Sequence, residues 1–337
     1  MNEMTADTGP AAVETSPARA IPPWRTLLML VKREFWEHRQ LWLVPVTVSG
    51  VLLLVTLFTQ FNAGNDVHLP FGPQNWNWDT ARHASEYEIR VQLSSLRQLL
   101  VTLPIWITGA FIVYFYLLNS LFDERKDRSI LFWKSLPVSD GLTVASKLLV
   151  GAVIVPAIIY AVSVLTQILF AEIWNLRLSW GLASGMAFTW DATAWFKLQG
   201  LILFWLVSAV LWWAPVAGYL VFISAWARRQ PFLWSIVPLI AVGFTEQVTL
   251  GTHYISNLVG FRMAGFMSSA KDPDGWSLTD AAVVGPGMHV RTVDFSNVLD
   301  HQHLVGMLTR PGLWIGLVVT VGFAYAAVRL RRYRDDT

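Results

Sequence analysis

The chain has 337 residues, of which 54% are hydrophobic and only 14% charged, with a formal net charge of +2 and no cysteine. Soluble domains carry about 25% charged residues, so the deficit points to a chain whose solvent is mostly lipid. The missing cysteines exclude disulfides, thiolate nucleophiles, cysteine-held zinc and cysteine-bound iron–sulfur clusters, and so small a net charge gives no reason to expect a nucleic-acid partner.

In chain order, residues 1–23 are rich in Ala, Pro, Thr and Ser and lack apolar periodicity. They read as a disordered cytosolic tail rather than a signal peptide, since no apolar core follows a basic start. Residues 24–334 read as one membrane domain. It begins with Trp24, Leu27, Leu28, Val31 and Phe35 at helical spacing, interleaved with Arg25, Lys32, Arg33 and Arg39. That pattern predicts an amphipathic helix in the membrane interface.

Six apolar runs follow, each near the roughly 20 residues a bilayer requires. They cover about 41–61, 99–122, 148–170, 198–226, 231–250 and 311–328. The expected fold class is therefore all-α and polytopic, with six transmembrane helices. Pro104, Pro156, Pro215 and Pro238 fall within spans two to five and predict kinks. Basic residues cluster before the first span, between spans two and three, at Arg228 and Arg229, and after the last span. The positive-inside rule places these clusters, and with them both termini, in the cytosol.

The outer loops differ in character. One of them, 171–197, carries Trp174, Trp180, Trp190 and Trp195. These fit an aromatic belt at the headgroups, with a sugar- or lipid-binding platform as the competing reading. The stretch 85–98 can lead helically into the second span. Residues 251–310 form a large outer loop with short apolar pieces suited to re-entrant or surface helices. His301 and His303 lie in this loop without a third ligand, so no metal is expected there.

Inside the six runs Glu246 is the single acid or base. An intramembrane acid is a functional candidate by default. At about 1.5 Å per residue it sits roughly 25 Å from Arg229, near the outer interface. It reads as a structural residue or part of an outer gate. Gln167, toward the outer end of span three, and Asn119, toward the inner end of span two, are the other polar residues of note.

Between spans two and three stands an unbroken run of charges: Asp123, Glu124, Arg125, Lys126, Asp127 and Arg128. Ile130, Leu131, Phe132 and Trp133 follow, then Pro137. The run is expected to be solvated. The apolar tetrad is too short to span, so a short amphipathic helix seated in a partner's groove or in headgroups is predicted. Gly141 and Lys147 stand at P-loop separation. However, Ser146 replaces the second glycine and Leu148 the hydroxyl residue, so no nucleotide site is expected. No zincin helix or nucleophile elbow occurs.

The charges, the tetrad and the ending Leu136, Pro137, Val138, Ser139 resemble the corresponding stretch of type-2 ABC transporter permeases. The six spans and the amphipathic lead-in helix are similar to that family too. The resemblance implies a coupling helix, with Asp123, Glu124, Arg125, Lys126, Asp127, Arg128, Ile130, Phe132 and Trp133 contacting an ABC ATP-binding subunit. It implies two permeases with two ATPases, ATP and magnesium held by the partner, no enzyme activity in this chain, and export across a bacterial inner membrane. The outer loop is longer and more polar than a minimal member requires, and the substrate is not implied. An ion-coupled carrier using Glu246, or a membrane anchor or sensor that moves nothing, is the alternative.

Overall fold

A computed structural model describes residues 22–58, 86–127, 138–180, 190–264 and 308–333. The proposed tail up to residue 21, most of 251–310 with His301 and His303, and the stretch containing Arg128, Ile130, Phe132 and Trp133 lie outside the described residues.

The described residues contain helices and no strand. In chain order they are α1 (Pro23–Glu37), α2 (Gln40–Phe58), α3 (Glu86–Asn119), α4 (Phe122–Lys126) and α5 (Asp140–Leu149). A π-turn at Val150–Ile154 joins α5 to α6 (Val155–Ser179). Then come α7 (Ala192–Trp212), α8 (Ala214–Trp226), α9 (Pro231–Leu250), α10 (Tyr254–Ala264) and α11 (Pro311–Tyr333). Six stretches are long and apolar enough to cross a bilayer: Gln40–Phe58, Ser94–Lys126, Asp140–Arg177, Ala192–Trp212, Pro231–Leu250 and Pro311–Tyr333. The protein is therefore an integral membrane protein built from helices. α3, with 34 residues, is about 51 Å long and overreaches a 30 Å hydrocarbon core. It begins at Glu86, which bears out the helical lead-in.

Because lipid tails are as apolar as leucine, close packing and interhelical hydrogen bonds must hold such helices together. α8 and α11 show this most clearly. Gly218 leaves α8 so close to α11 that a Cβ there would stand 3.2 Å from Thr320 Cα. Ser49 of α2 and Thr166 of α6 share a hydrogen bond of 2.6 Å. The main buried cluster includes Leu41, Ile105, Leu117, Val144, Val150, Leu220 and Ala327, and so ties α2, α3, α5, α8 and α11 together. Outward-facing Phe232, Ile240, Phe244, Val318 and Val321 are exposed, as suits lipid contact.

The expected fourth span, 198–226, is corrected: it is two helices meeting at Trp213. Pro215 has no N–H to continue the ladder, and its ring crowds the preceding turn. Val216 N–H instead bonds to Trp213 O at 2.9 Å. Other prolines act differently. Pro45, Pro104 and Pro238 lie inside continuous helices. Pro156 is the second residue after the π-turn. At that turn Gly151 admits the Leu117 side chain, which an added Cβ would strike.

Candidate functional site

α1 has the expected helical span, and Trp24, Leu28, Met29 and Trp36 are exposed on it. Its other face carries Leu30 and Glu34, both buried, and it packs against α5. Burying a carboxylate requires a partner. Glu34 Oε1 pairs with Lys147 Nζ at 3.0 Å, and Tyr116 Oη donates to Glu34 Oε2 at 2.8 Å.

The second carboxylate at this site is Glu124. Its Oε1 meets Arg33 Nη2 at 2.8 Å and Lys147 Nζ at 3.0 Å. Its Oε2 meets Arg331 Nη1 at 2.5 Å. Arg331 Nε continues to Asp140 Oδ1 at 2.9 Å, and Arg33 Nε reaches Glu37 Oε1 at 3.1 Å. Lys147 is 1% exposed and Glu124 8%, so these charges are screened little by solvent. Burial alone would lower the Arg33 pKa, but Glu34, Glu37 and Glu124 outweigh it and hold that pKa above its usual value. At the centre, Glu34, Glu124 and Asp140 balance Arg33, Lys147 and Arg331. The cluster therefore joins α1, α4, α5 and α11 through compensated charge, with Tyr116 of α3 beside it.

The run of charges is thus not solvated throughout. Glu124 turns inward because three bases converge on it. Arg125 reaches the end of α8, donating to Ser224 O at 2.5 Å and Ala227 O at 2.8 Å. Ser224 Oγ in turn accepts from Leu121 N–H at 2.9 Å and Phe122 N–H at 3.0 Å, amides at the break between α3 and α4. Lys126 and Asp127 are exposed, and Asp123 is half-buried. α4 is only five residues long. It is clamped to α8 at both ends.

Glu34, Glu37 and His38 are the one group of possible metal ligands among the described residues. Glu34 is already held by Lys147, so a cation there would displace an existing ion pair.

Glu246 lies far along the chain from this cluster and does a different task. Its Oε1 accepts from Thr252 Oγ1 at 2.8 Å and Tyr254 N–H at 2.5 Å, and its Oε2 from Ile255 N–H at 2.8 Å. It therefore caps the start of α10, supplying acceptors for amides that a helix's first turn leaves unpaired. α10 realises one of the short helices expected in the last outer loop. Its Arg262 sits at the α7–α8 break, donating to Trp212 O at 3.1 Å and Gly312 O at 3.0 Å, with its guanidinium 4.8 Å from the centre of the Trp212 ring.

Sequence reasoning passed over Glu34, Lys147, Ser224, Arg262 and Arg331 as site residues. Glu34 carried a usable signal: it continues the Leu27, Leu30 and Val31 stripe at helical spacing, an acid on an apolar face. Compared with family models, curated proteins and solved structures, the chain matches none.

Proposed function

We propose that this chain is the membrane-spanning permease subunit of an ATP-driven transporter resembling the type-2 ABC exporters. In this reading two copies, or this chain and a paralogue, sit in a bacterial inner membrane with both termini cytosolic. Two separate ATP-binding subunits hold ATP and magnesium. The carrying observation is that Glu124, within the coupling-like sequence, is ion-paired to α1, α5 and α11 at once, while its neighbour Arg125 holds α8.

That linkage supports a division of labour along the segment. Asp127, Arg128, Ile130, Phe132 and Trp133 face the ATPase, the apolar residues seating in its cleft and the charges setting register. Glu124 and Arg125 form the inward half. A push on the segment then acts on several spans together, and different contacts before and after ATPase closure supply the free-energy difference that coupling needs. Glu246 in this reading anchors α10 beside an outer gate, and its three donors favour anchoring over proton carriage.

The test is reconstitution with candidate P-loop ATPase subunits from the same genome. Phe132→Ala with Trp133→Ala is expected to weaken association at least about tenfold, as loss of aromatic anchors does. Glu124→Gln is expected to keep association and lower transport per ATP hydrolysed. Unchanged association in the Phe132/Trp133 variant would sink the docking assignment, and unchanged coupling in Glu124→Gln the transmission role.

A further inference from the structure

The contact between α6 and α7 carries polar groups of another kind. Tyr160, Ser163 and Gln167 follow at three- and four-residue steps and so share one face of α6. Two contacts with a single α7 residue fix what that face meets. Tyr160 Oη donates to the Gln199 backbone oxygen at 3.3 Å, and Gln199 Nε2 donates to Gln167 Oε1. Ser163 lies between Tyr160 and Gln167 on this face.

All three of Ser163, Gln167 and Gln199 are buried, at 1%, 0% and 7% exposure. Yet Ser163 Oγ, Gln167 Nε2 and Gln199 Oε1 have no hydrogen-bond partner among the described residues. Two facing amides can close a pair of hydrogen bonds. Here one bond is made, and the second donor and second acceptor stay open on the face that also carries the Ser163 hydroxyl. Burying such groups unpaired in an apolar interior is costly.

We infer that Ser163, Gln167 and Gln199 form a binding site for one uncharged hydroxyl group. That group accepts from Gln167 Nε2 and donates to Gln199 Oε1, and Ser163 Oγ completes its shell. Three polar partners are what one internal water or alcohol hydroxyl typically makes. None of the three residues is ionisable, so a charged ligand would go uncompensated. The hydroxyl comes from an internal water or from a small hydroxylated molecule. The site stands whether or not the transport reading does.

Water-edited solid-state NMR on the full chain in liposomes, with glutamine side chains labelled with ¹⁵N, tests this. Gln→Leu variants assign the resonances, and exposed Gln230 is the reference. The Gln167 amide is expected to take up water magnetisation within about threefold of the Gln230 rate. Ser163→Ala with Gln199→Leu should remove that transfer. Glycerol then separates the sources: a shifted Gln167 resonance marks a site open to hydroxylated molecules, an unshifted but water-coupled one a water site. A Gln167 amide that takes up no water magnetisation and does not respond to glycerol would overturn the inference. That readout needs only the native chain, so it holds even if a variant misfolds.

Discussion

Two charged assemblies of this protein solve the same problem in opposite ways. Around Glu124, charge meets charge: side chains from four helices neutralise one another over contacts of 2.5 to 3.0 Å. At α10, charge meets backbone: Glu246 accepts from amides and Arg262 donates to carbonyls. The first arrangement includes pairs 91, 113 and 207 residues apart in sequence. The second fixes local geometry, sealing helix ends that proline and the chain turn leave open. A cluster of charges depends on every member being present, whereas a charge on a carbonyl repairs one defect.

The largest effect should therefore come from unbalancing the cluster. Glu124→Gln leaves Arg33, Lys147 and Arg331 facing too little negative charge. Removing one partner of a buried ion pair costs about 3–5 kcal/mol. A thermal melt in detergent should show this as a clear fall in Tm. Adding Lys147→Met restores the balance of charge and should recover part of the loss. A double variant no better than Glu124→Gln would show that the cluster acts through shape and not through charge.

Breaking the other assembly should cost less. Arg262→Met removes the donor for Trp212 O and Gly312 O together with the ring contact, and the expected loss is about 1–3 kcal/mol. Arg262→Lys should not repair it, because a point charge cannot reproduce the guanidinium fork. The chain has no cysteine, so a single Val259→Cys on α10 reports docking directly. Alkylation of that cysteine should speed up in Arg262→Met and stay slow in the Glu124 variant. Equal acceleration in both would erase the distinction between the two assemblies.

These assemblies also mark where the sequence stops being readable. The membrane-spanning stretches were legible because each lies in an apolar run with a basic flank, and both signals are local, but the fourth run concealed a break into two helices. Lys147 was legible only as a flank and as half of a failed nucleotide motif. Its actual partners, Glu34 and Glu124, lie in separate stretches, and only packing brings them together. Arg331 was one of several bases closing the last span, and nothing nearby singled it out. Pro215 announced a kink, yet so did Pro104 and Pro238, which sit in continuous helices. What distinguishes the break at Trp213 is Arg262, about fifty residues on, which takes the carbonyl that the ladder gives up. Gln167 stood out as a polar residue in a span, but its match with Gln199 needed the packing of α7 against α6.

The smallest effect belongs to a third kind of repair, made without any charge. Pro238 cannot bond to the carbonyl of Trp234, four residues earlier in α9. Tyr219 Oη of α8 donates there at 3.3 Å and shares its proton with Ser235 O at 3.2 Å. In a membrane, neighbouring side chains are what make an internal proline tolerable. A neutral, shared hydrogen bond at a partly exposed position contributes about 1 kcal/mol, so Tyr219→Phe should lower Tm by only a few degrees. The decisive measurement is the same substitution in a Pro238→Ala background. Alanine returns an N–H to the helix and occupies Trp234 O, leaving Tyr219 little to satisfy. The cost of Tyr219→Phe should then shrink to less than half. If it is undiminished, Tyr219 stabilises α9 through packing alone and does not repair the ladder that Pro238 breaks.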